Sequence, residues 1–354
     1  MRLNTGKWGR GLAMVLVLVF VFVFVFAPMT MGSETAQAPA QEAAAQSGAW
    51  PVWAYPVSAA SPLVVGDATA ASDEPVEHVA GSTAGYTKTQ IVNMFVAADW
   101  FPGTHPAMPE VVAAGRRPAV YACAHCHQPS GLGRPENQSL AGLPAAYMEQ
   151  QMADFRNDLR RCSDARMGPE GRMVLVAKAA TAEEARIAAE YFASLKPRKW
   201  IRVVETDTVP VTRPEGWMLV ADRAGASEPI GERVIEVSED FEQSELRNPT
   251  SGFVAYVPRG SLQAGETLVR TGAHGRIMAC AVCHGQNLNG QSMKGMGSVP
   301  PIAGRSPSQM ARQLMDFRSG ARHGVNSAQM RIMAAKLSNA DIVAITSYLA
   351  SLNP

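Results

Sequence analysis

The chain has 354 residues, of which 47% are hydrophobic and 18% charged, so it is long enough for two or three domains with cores of their own. Its formal net charge is +1, from 32 Lys and Arg against 31 Asp and Glu, and the charges are well mixed. Because there is no long basic run to hold phosphates, nucleic acid is not expected as a partner. Five cysteines are too few for a disulfide framework in a chain of this length.

The N-terminus has the order of an export signal. Three basic residues precede an unbroken apolar run, Leu12 to Ala27. When extended to residue 31, the run approaches the roughly 20 residues that span a bilayer. Residues 1–32 are therefore predicted to be either a signal peptide or a membrane anchor formed by residues 12–31. Both alternatives place the body of the protein outside the cytoplasm, in the periplasm.

A stretch rich in Ala, Pro, Ser and Gly follows, from residue 33 to residue 86. This composition is typical of a flexible tether, with local order expected around Trp53 and Tyr55. Thr87 is in position to cap a short amphipathic helix that runs through Phe95, and the first globular unit is predicted to begin there.

Two pentads, CAHCH and CAVCH, carry the chemistry of the chain. Two cysteines separated by two residues and followed at once by histidine form the attachment signature of a c-type haem. A structural zinc site is the alternative for two CxxC pairs, but zinc does not require a histidine directly after each pair. The predicted haem-binding residues are Cys123, Cys126 and His127 in the first pentad, and Cys280, Cys283 and His284 in the second.

An internal repeat organises the rest of the chain. Residues 141–156 match residues 303–318 without a gap, and the segment YFASLKP ending at Pro197 matches YLASLNP ending at Pro354. Each copy carries one pentad near its start. The repeat predicts a first domain at residues 87–197 and a second at residues 261–354.

The closing segment of each copy predicts a helix. Thr181 to Leu195 and Ser338 to Leu352 open on a Thr or Ser cap, carry apolar residues at helical spacing and stop before a proline. Between the copies, residues 198–260 are rich in β-branched and aromatic residues separated by Gly and Pro turns. They predict a strand-containing bridge that packs the two domains together.

Residues 90–354 resemble two fused class I cytochrome c domains of the cytochrome c553/c4 type. The resemblance rests on the two pentads, the LAG and IAG turns, the two DFR triplets and the closing segments. The resemblance covers about three quarters of the chain. It implies a mainly α fold of two small helical domains that carry electrons. It also implies two covalently attached haem c groups, each with a methionine as second axial ligand.

A thioether is a soft donor that favours ferrous iron and raises the reduction potential. Met173 and Met330 each lie eight residues before the helix cap of their own copy, and this agreement selects them as the axial ligands. Met167 is the alternative in the first copy, because that copy carries extra residues after Arg156.

The family places a loop beside the proximal histidine at about the distance of Pro144 and Pro301. A backbone carbonyl there is expected to accept a hydrogen bond from the histidine ring. Guanidinium groups of the second copy are candidates for the haem propionates, although a solvated helix face is favoured for each: Arg305, Arg312, Arg318 and Arg322. The histidines outside the two haem ligands are expected to be surface or packing residues: His125, His274 and His323.

With histidine and methionine on both irons there is no open position for a substrate, so the sequence favours electron transfer over turnover. The predicted protein is a periplasmic or membrane-tethered dihaem cytochrome c. It would carry single electrons between respiratory partners, from a dehydrogenase or quinol-oxidising complex to a terminal oxidase.

Two alternatives stay open. One is a dihaem oxidoreductase of the thiosulfate dehydrogenase or peroxidase kind, in which one iron is weakly ligated or is bound by Cys162. Arg160 and Arg161 precede this cysteine and are expected to lower the pKa of its thiol. The other alternative is a cytochrome subunit of a larger dehydrogenase complex, with the bridge as its docking face.

Overall fold

The computed structural model describes residues 50–58 and 73–354, which all belong to one compact unit. The predicted signal or anchor at residues 1–32 lies outside the described residues. Within the described ranges, no helix combines the length and the apolar character that crossing a bilayer requires.

The first repeat is mainly helical. A short β-ribbon, β1 with β2, precedes it, and a 3-10 turn at Pro102–Thr104 follows its first helix. The elements are β1 Val76–Glu77, β2 Tyr86–Thr87, α1 Lys88–Val92, α2 Glu110–Ala113, α3 Cys123–His127, α4 Ala145–Arg156, α5 Gly168–Ala179 and α6 Ala182–Ser194.

Strands fill the bridge, as the sequence predicts. In the main sheet β9 is central, parallel to β3 and antiparallel to β8, while β4 pairs with β7 and β5 forms a hairpin with β6. The elements are β3 Ile201–Thr206, β4 Thr208–Pro210, β5 Thr212–Glu215, β6 Met218–Ala221, β7 Ser227–Pro229, β8 Ile235–Ser238, α7 Phe241–Glu245 and β9 Phe253–Pro258.

The second repeat returns to helices, the first of which begins at Ser261. It differs from the first by a small hairpin, β10 with β11, between the pentad and the following helix. The elements are α8 Ser261–Gly275, α9 Cys280–His284, β10 Gln291–Met293, β11 Gly297–Val299, α10 Pro307–Ser319, α11 Ala328–Ala334 and α12 Asn339–Ser351.

Capping boxes fix the starts of the closing helices. The side chains of Thr181 and Ser338 accept hydrogen bonds from the backbone N–H three residues on. The acidic side chain at that position accepts in turn from the backbone N–H of the capping residue. The predicted starts of α6 and α12 are confirmed. Thr87 caps α1 in the same way, but this helix ends at Val92 and does not run through Phe95.

Residues 50–58 have the local order that was expected around Trp53 and Tyr55 within the predicted tether. Trp53 and Tyr55 are 8% and 2% exposed and belong to the main hydrophobic core. The Tyr55 hydroxyl donates to Asp316 Oδ1 at 2.9 Å, and Arg312 donates to the carbonyl of Ala54 at 2.8 Å. The two aromatic rings remove enough apolar surface from water to hold this short segment against α10.

The apolar side chains of the two repeats and the bridge form two large hydrophobic clusters. The main core contains apolar residues of the bridge and of α8, α10 and α12. A second cluster lies within the first repeat, where Cys123 and Cys126 pack against it. The bridge is therefore built into the second domain and also contacts the first, through hydrogen bonds from Arg134 to the carbonyl of Ser244 and to Glu245.

Candidate haem sites

Both pentads form one helical turn, α3 and α9, so that each histidine follows its cysteines into the domain interior. His127 Nδ1 lies 2.8 Å from the carbonyl oxygen of Gln138, and His284 Nδ1 lies 2.8 Å from that of Pro300. Because a carbonyl only accepts, Nδ1 must carry the proton, which leaves the lone pair on Nε2 for a metal. Burial lowers the pKa of His127 to about 4 and also lowers that of His284, so both rings are neutral.

The carbonyl acceptors differ from those predicted. Pro300 takes the place expected of Pro301, and Gln138 lies six residues before Pro144. Pro144 is instead the residue that precedes the first turn of α4. A proline fixes the backbone at a helix start, so a proline near the expected distance does not identify which carbonyl faces the ring.

None of the four pentad cysteines forms a disulfide with another described cysteine. Burial raises the pKa of Cys123 to about 12 and that of Cys280 to about 11, and it also raises the pKa of Cys126. These thiols are held inside their own domains, next to the histidine that follows them. Such thiols are available to form thioether bonds to a cofactor in the same cavity.

A cavity of about 310 Å³ opens beside α3. Cys123, Cys126 and His127 line it on one side, and α5 contributes Met173. Met167 is not among the lining residues. It is 1% exposed, precedes the first turn of α5 and packs in the main core. The structure thus brings Met173, and not its alternative, into the cavity of His127.

In the second repeat, Met330 lies on α11 and is half-buried. Met310 and Met315 are buried core residues of α10, as expected for methionines without a ligand role.

The second copy's candidate arginines do not form a solvated helix face. Arg305, Arg312 and Arg322 are all less than 10% exposed. Arg305 donates to the carbonyls of Ser139 and Ala141 across the domain junction. Arg318, which is half-buried, donates to the carbonyl of Leu337. These groups tie segments of the backbone together, and none of the four lines the first cavity.

Cys162 is also placed differently from expectation. Burial raises the pKa of its thiol, Glu170 and Asp316 raise it further, and Arg312 opposes them. The pKa of this thiol is therefore raised, whereas the two arginines that precede Cys162 were expected to lower it. Cys162 packs at the edge of the main core and is not among the residues that line the cavity of His127.

The three histidines that are not candidate haem ligands are surface or packing residues, as expected. His274 and His323 are exposed, whereas His125 is a buried packing residue. Its Nδ1 lies 3.2 Å from the Val96 carbonyl oxygen, and Arg247 of the bridge donates to its backbone carbonyl at 2.8 Å. Val282, the equivalent position in the second pentad, is 57% exposed. The bridge therefore covers the first pentad and leaves this position of the second pentad bare.

Arg160, Arg172 and Trp217 also line the first cavity, and the sequence did not indicate that they would lie there. Trp217 belongs to the bridge and reaches the cavity from another part of the chain. No local pattern signals such a contact, because it depends on how the bridge folds back onto the first domain.

The donor set fits a covalently bound haem at both pentads. Each pentad combines two half-buried thiols with a neutral histidine whose Nε2 can bind a metal. The first pentad also lines a largely apolar cavity that contains the thioether of Met173. These features define a c-type cytochrome unit, present twice in one chain.

Comparisons with known proteins agree. The cytochrome c family model matches residues 112–196 and 263–353, one match for each repeat. The chain is 35% identical to a cytochrome c4 of Azotobacter vinelandii over 142 residues, which are 37% of this chain and 66% of the relative. A second cytochrome c4, of Stutzerimonas stutzeri, is 34% identical over 36% of this chain and 65% of its own length. The matches thus span just under two thirds of these relatives. The chain belongs to the cytochrome c family and is a dihaem c-type cytochrome with two covalently attached haem c groups.

Other similar proteins include two whose names contain thiosulfate dehydrogenase and a solved cytochrome c4. A thiosulfate dehydrogenase electron acceptor of Thiomonas intermedia is 24% identical over 67% of this chain and 82% of its own length. Among solved structures, reduced recombinant cytochrome c4 from Pseudomonas stutzeri is 25% identical, with a TM-score of 0.41 over 65% of this chain and 93% of that chain. A thiosulfate dehydrogenase from Marichromatium purpuratum is 24% identical, with a TM-score of 0.41 over 66% of this chain and 37% of that chain.

Proposed function

We propose that this protein is a periplasmic electron carrier that passes single electrons between redox partners. The observation that carries the proposal is the shared cavity of His127 and Met173. When bound, a haem iron takes up and releases one electron, and with histidine and methionine as axial ligands it has no open position for a substrate.

The proposed roles follow the repeat. The thiols attach the haems, His127 and His284 are the proximal ligands, and Met173 and Met330 are the sixth ligands. The carbonyls of Gln138 and Pro300 hold the histidine rings in one orientation and one tautomer. Burial keeps both histidines neutral, so that a proton does not compete with iron for Nε2. The hydrogen bonds to the carbonyls prevent rotation of the rings.

The names of the relatives support a carrier over an enzyme. Two relatives are named cytochrome c4, and the relative that aligns with 67% of this chain is named as an electron acceptor. We infer that the electron donor of this protein is a dehydrogenase. The environment of Cys162 also supports the carrier, because a thiol with a raised pKa is a poor source of a thiolate ligand.

Attachment of haem c requires export, and we assign this task to the apolar run at residues 12–31, which lies outside the described residues. Whether that run is cleaved decides between a free and a tethered carrier. A bridge that serves as docking face in a larger complex is a weaker alternative, since Ile235, Phe253 and Val257 of the bridge are used in the core.

The test begins with the full chain, exported together with a haem-attachment system. The mature protein should have the mass of the polypeptide plus two haems and should take up two electrons per chain reversibly. It should show no turnover with thiosulfate or peroxide. A mass with one haem, or turnover with either substrate, would overturn the proposal.

A further inference from the structure

The hairpin β5–β6 presents a tryptophan at its tip under unfavourable backbone geometry. Glu215 pairs with Met218, which leaves Gly216 and Trp217 as a two-residue turn. Both have positive φ, 57° and 64°, as a type I′ turn requires. A bulky side chain in this region costs on the order of 1 kcal/mol or more, and such strain marks functional positions. Trp217 therefore needs a compensating interaction.

Packing accounts for part of that compensation. The Trp217 ring lies against the first residue of α5, Gly168, where an added Cβ would collide with it. The guanidinium of Arg172, one turn further along the same helix, lies 4.6 Å from the ring centroid. The ring therefore packs on the start of α5 and against a cation that lies next to Met173 in the sequence.

The polar atoms of this pair are not satisfied by the protein. Trp217 Nε1 and Arg172 Nε are buried, and neither has a hydrogen-bond partner. Leaving a buried donor unpaired costs about 1–3 kcal/mol. Both residues line the cavity that also contains Cys126 and Met173. Two unpaired donors in one cavity indicate an acceptor on the group that the cavity binds.

The other guanidinium groups that line the cavity are already engaged. Arg134 pairs with Glu136, Arg247 donates to His125, and Arg160 donates to Gln151 and Gln313. Arg172 differs, because no ion pair with an acidic side chain is found for it among the described residues. A partly buried cation of this kind favours an anion.

We propose that Trp217 Nε1 and Arg172 bind a propionate carboxylate of the first haem. The propionates are the hydrogen-bond acceptors that a haem carries at its rim, and a carboxylate accepts from an indole N–H and a guanidinium together. The inference rests on the first haem being attached as proposed above. Trp217 lies outside both matches to the family model, so this contact belongs to the bridge of this chain.

Trp217→Phe is the decisive variant, because it removes the N–H and keeps an aromatic ring against Gly168 and Arg172. In the full dihaem protein, redox titration followed by the haem-methyl NMR resonances separates the two haems. Losing a donor leaves the carboxylate charge less compensated, which stabilises ferric iron. We expect the equilibrium constant for reduction of the first haem to fall about threefold to tenfold, tenfold being 59 mV for one electron. The second haem should not change.

Arg172→Gln should shift the same haem in the same direction. The double variant should shift it by less than the sum, because both groups act on one carboxylate. Trp200→Phe is the matched control, since Trp200 packs on Phe253 and does not line the cavity.

An unchanged potential in Trp217→Phe, with a shift only in Trp217→Ala, would overturn the proposal and leave Trp217 a packing residue. Haem content measured on each variant separates this failure from loss of haem at Cys123 and Cys126, which would overturn the attachment as well.

Discussion

Arg160 and Arg322 occupy equivalent positions in the two repeats and lie side by side at the domain junction. Their backbones form an isolated antiparallel bridge. Each guanidinium donates to both Gln151 Oε1 and Gln313 Oε1 at 2.8 to 2.9 Å. The two glutamines are themselves equivalent in the repeat. Each arginine thus binds one acceptor of its own copy and one of the other, so the repeats meet through their matching residues.

Removing one of these arginines should loosen the junction. In Arg322→Ala the Gln151 and Gln313 oxygens each lose one donor and the Tyr147 hydroxyl loses its contact with Arg322. Relief of the repulsion between like charges offsets only part of that loss. We expect the free energy of unfolding to fall by about 1–3 kcal/mol. Denaturant unfolding of the haem-loaded protein measures it.

The control for this experiment is Arg331→Ala, which removes the same charge from an exposed position of α11. It should change the free energy of unfolding by less than about 0.5 kcal/mol. Equal effects of the two substitutions would show that the arginine pair does not stabilise the junction.

The axial methionines make a second prediction. Met173→Ala should abolish the methionine-to-iron charge-transfer absorption of the first haem alone, because Met173 lines the cavity of His127. Met330→Ala should do the same for the second haem. Met167→Ala is the matched control, since it deletes a methionine near the same helix that packs in the core. If Met167→Ala removed the absorption and Met173→Ala did not, the ligand assignment in the first copy would be wrong.

Local signals made much of this fold predictable from sequence. The caps Thr181 and Ser338 define where α6 and α12 begin, because a capping box depends on residues only three positions apart. The β-branched and aromatic composition of residues 198–260 likewise predicted a strand-containing bridge, which is where β3 to β9 lie.

Contacts between distant segments were not predictable in this way. Tyr55 donates to Asp316 across 261 positions of sequence, and the local order expected around Tyr55 did not indicate this partner. Trp217 and Arg247 reach the first haem cavity from the bridge by the same kind of long-range packing. Composition reports what a segment can form by itself, whereas these side chains are placed by packing between segments that are far apart in the sequence.

A third prediction concerns pH. Burial raises the pKa of Glu170 from 4.5 to about 6, with Asp316 adding to the rise while Arg312 and Arg160 oppose it. The folded protein therefore holds this proton more tightly than the unfolded chain does. The contribution to stability is complete below pH 4.5 and is lost as the pH rises through 6.

Glu170→Gln should remove this dependence. The difference in free energy of unfolding between variant and parent should grow by about 2 kcal/mol in favour of the variant from pH 4 to pH 7. Denaturant unfolding at several pH values measures it. Glu190→Gln, on the exposed face of α6, is the control, and its free energy of unfolding should change with pH in the same way as that of the parent. If the free energy of unfolding of Glu170→Gln had the same pH dependence as that of the parent, the raised pKa of this carboxyl would be contradicted.

The last prediction concerns Cys162, the residue that separates a carrier from an enzyme. Its thiol lies among Glu170 and Asp316, and burial together with these carboxylates raises its pKa, so the thiolate is strongly disfavoured. It does not line the cavity of His127. Cys162→Ser should therefore leave the visible and EPR spectra and the rate of electron transfer unchanged. With the pentad cysteines bonded to haem, Cys162 is the free thiol of the chain, and it should react slowly with a thiol reagent until the protein is unfolded. A low-spin thiolate signal that disappears in Cys162→Ser, together with thiosulfate- or peroxide-dependent turnover in the parent, would replace the carrier with an enzyme.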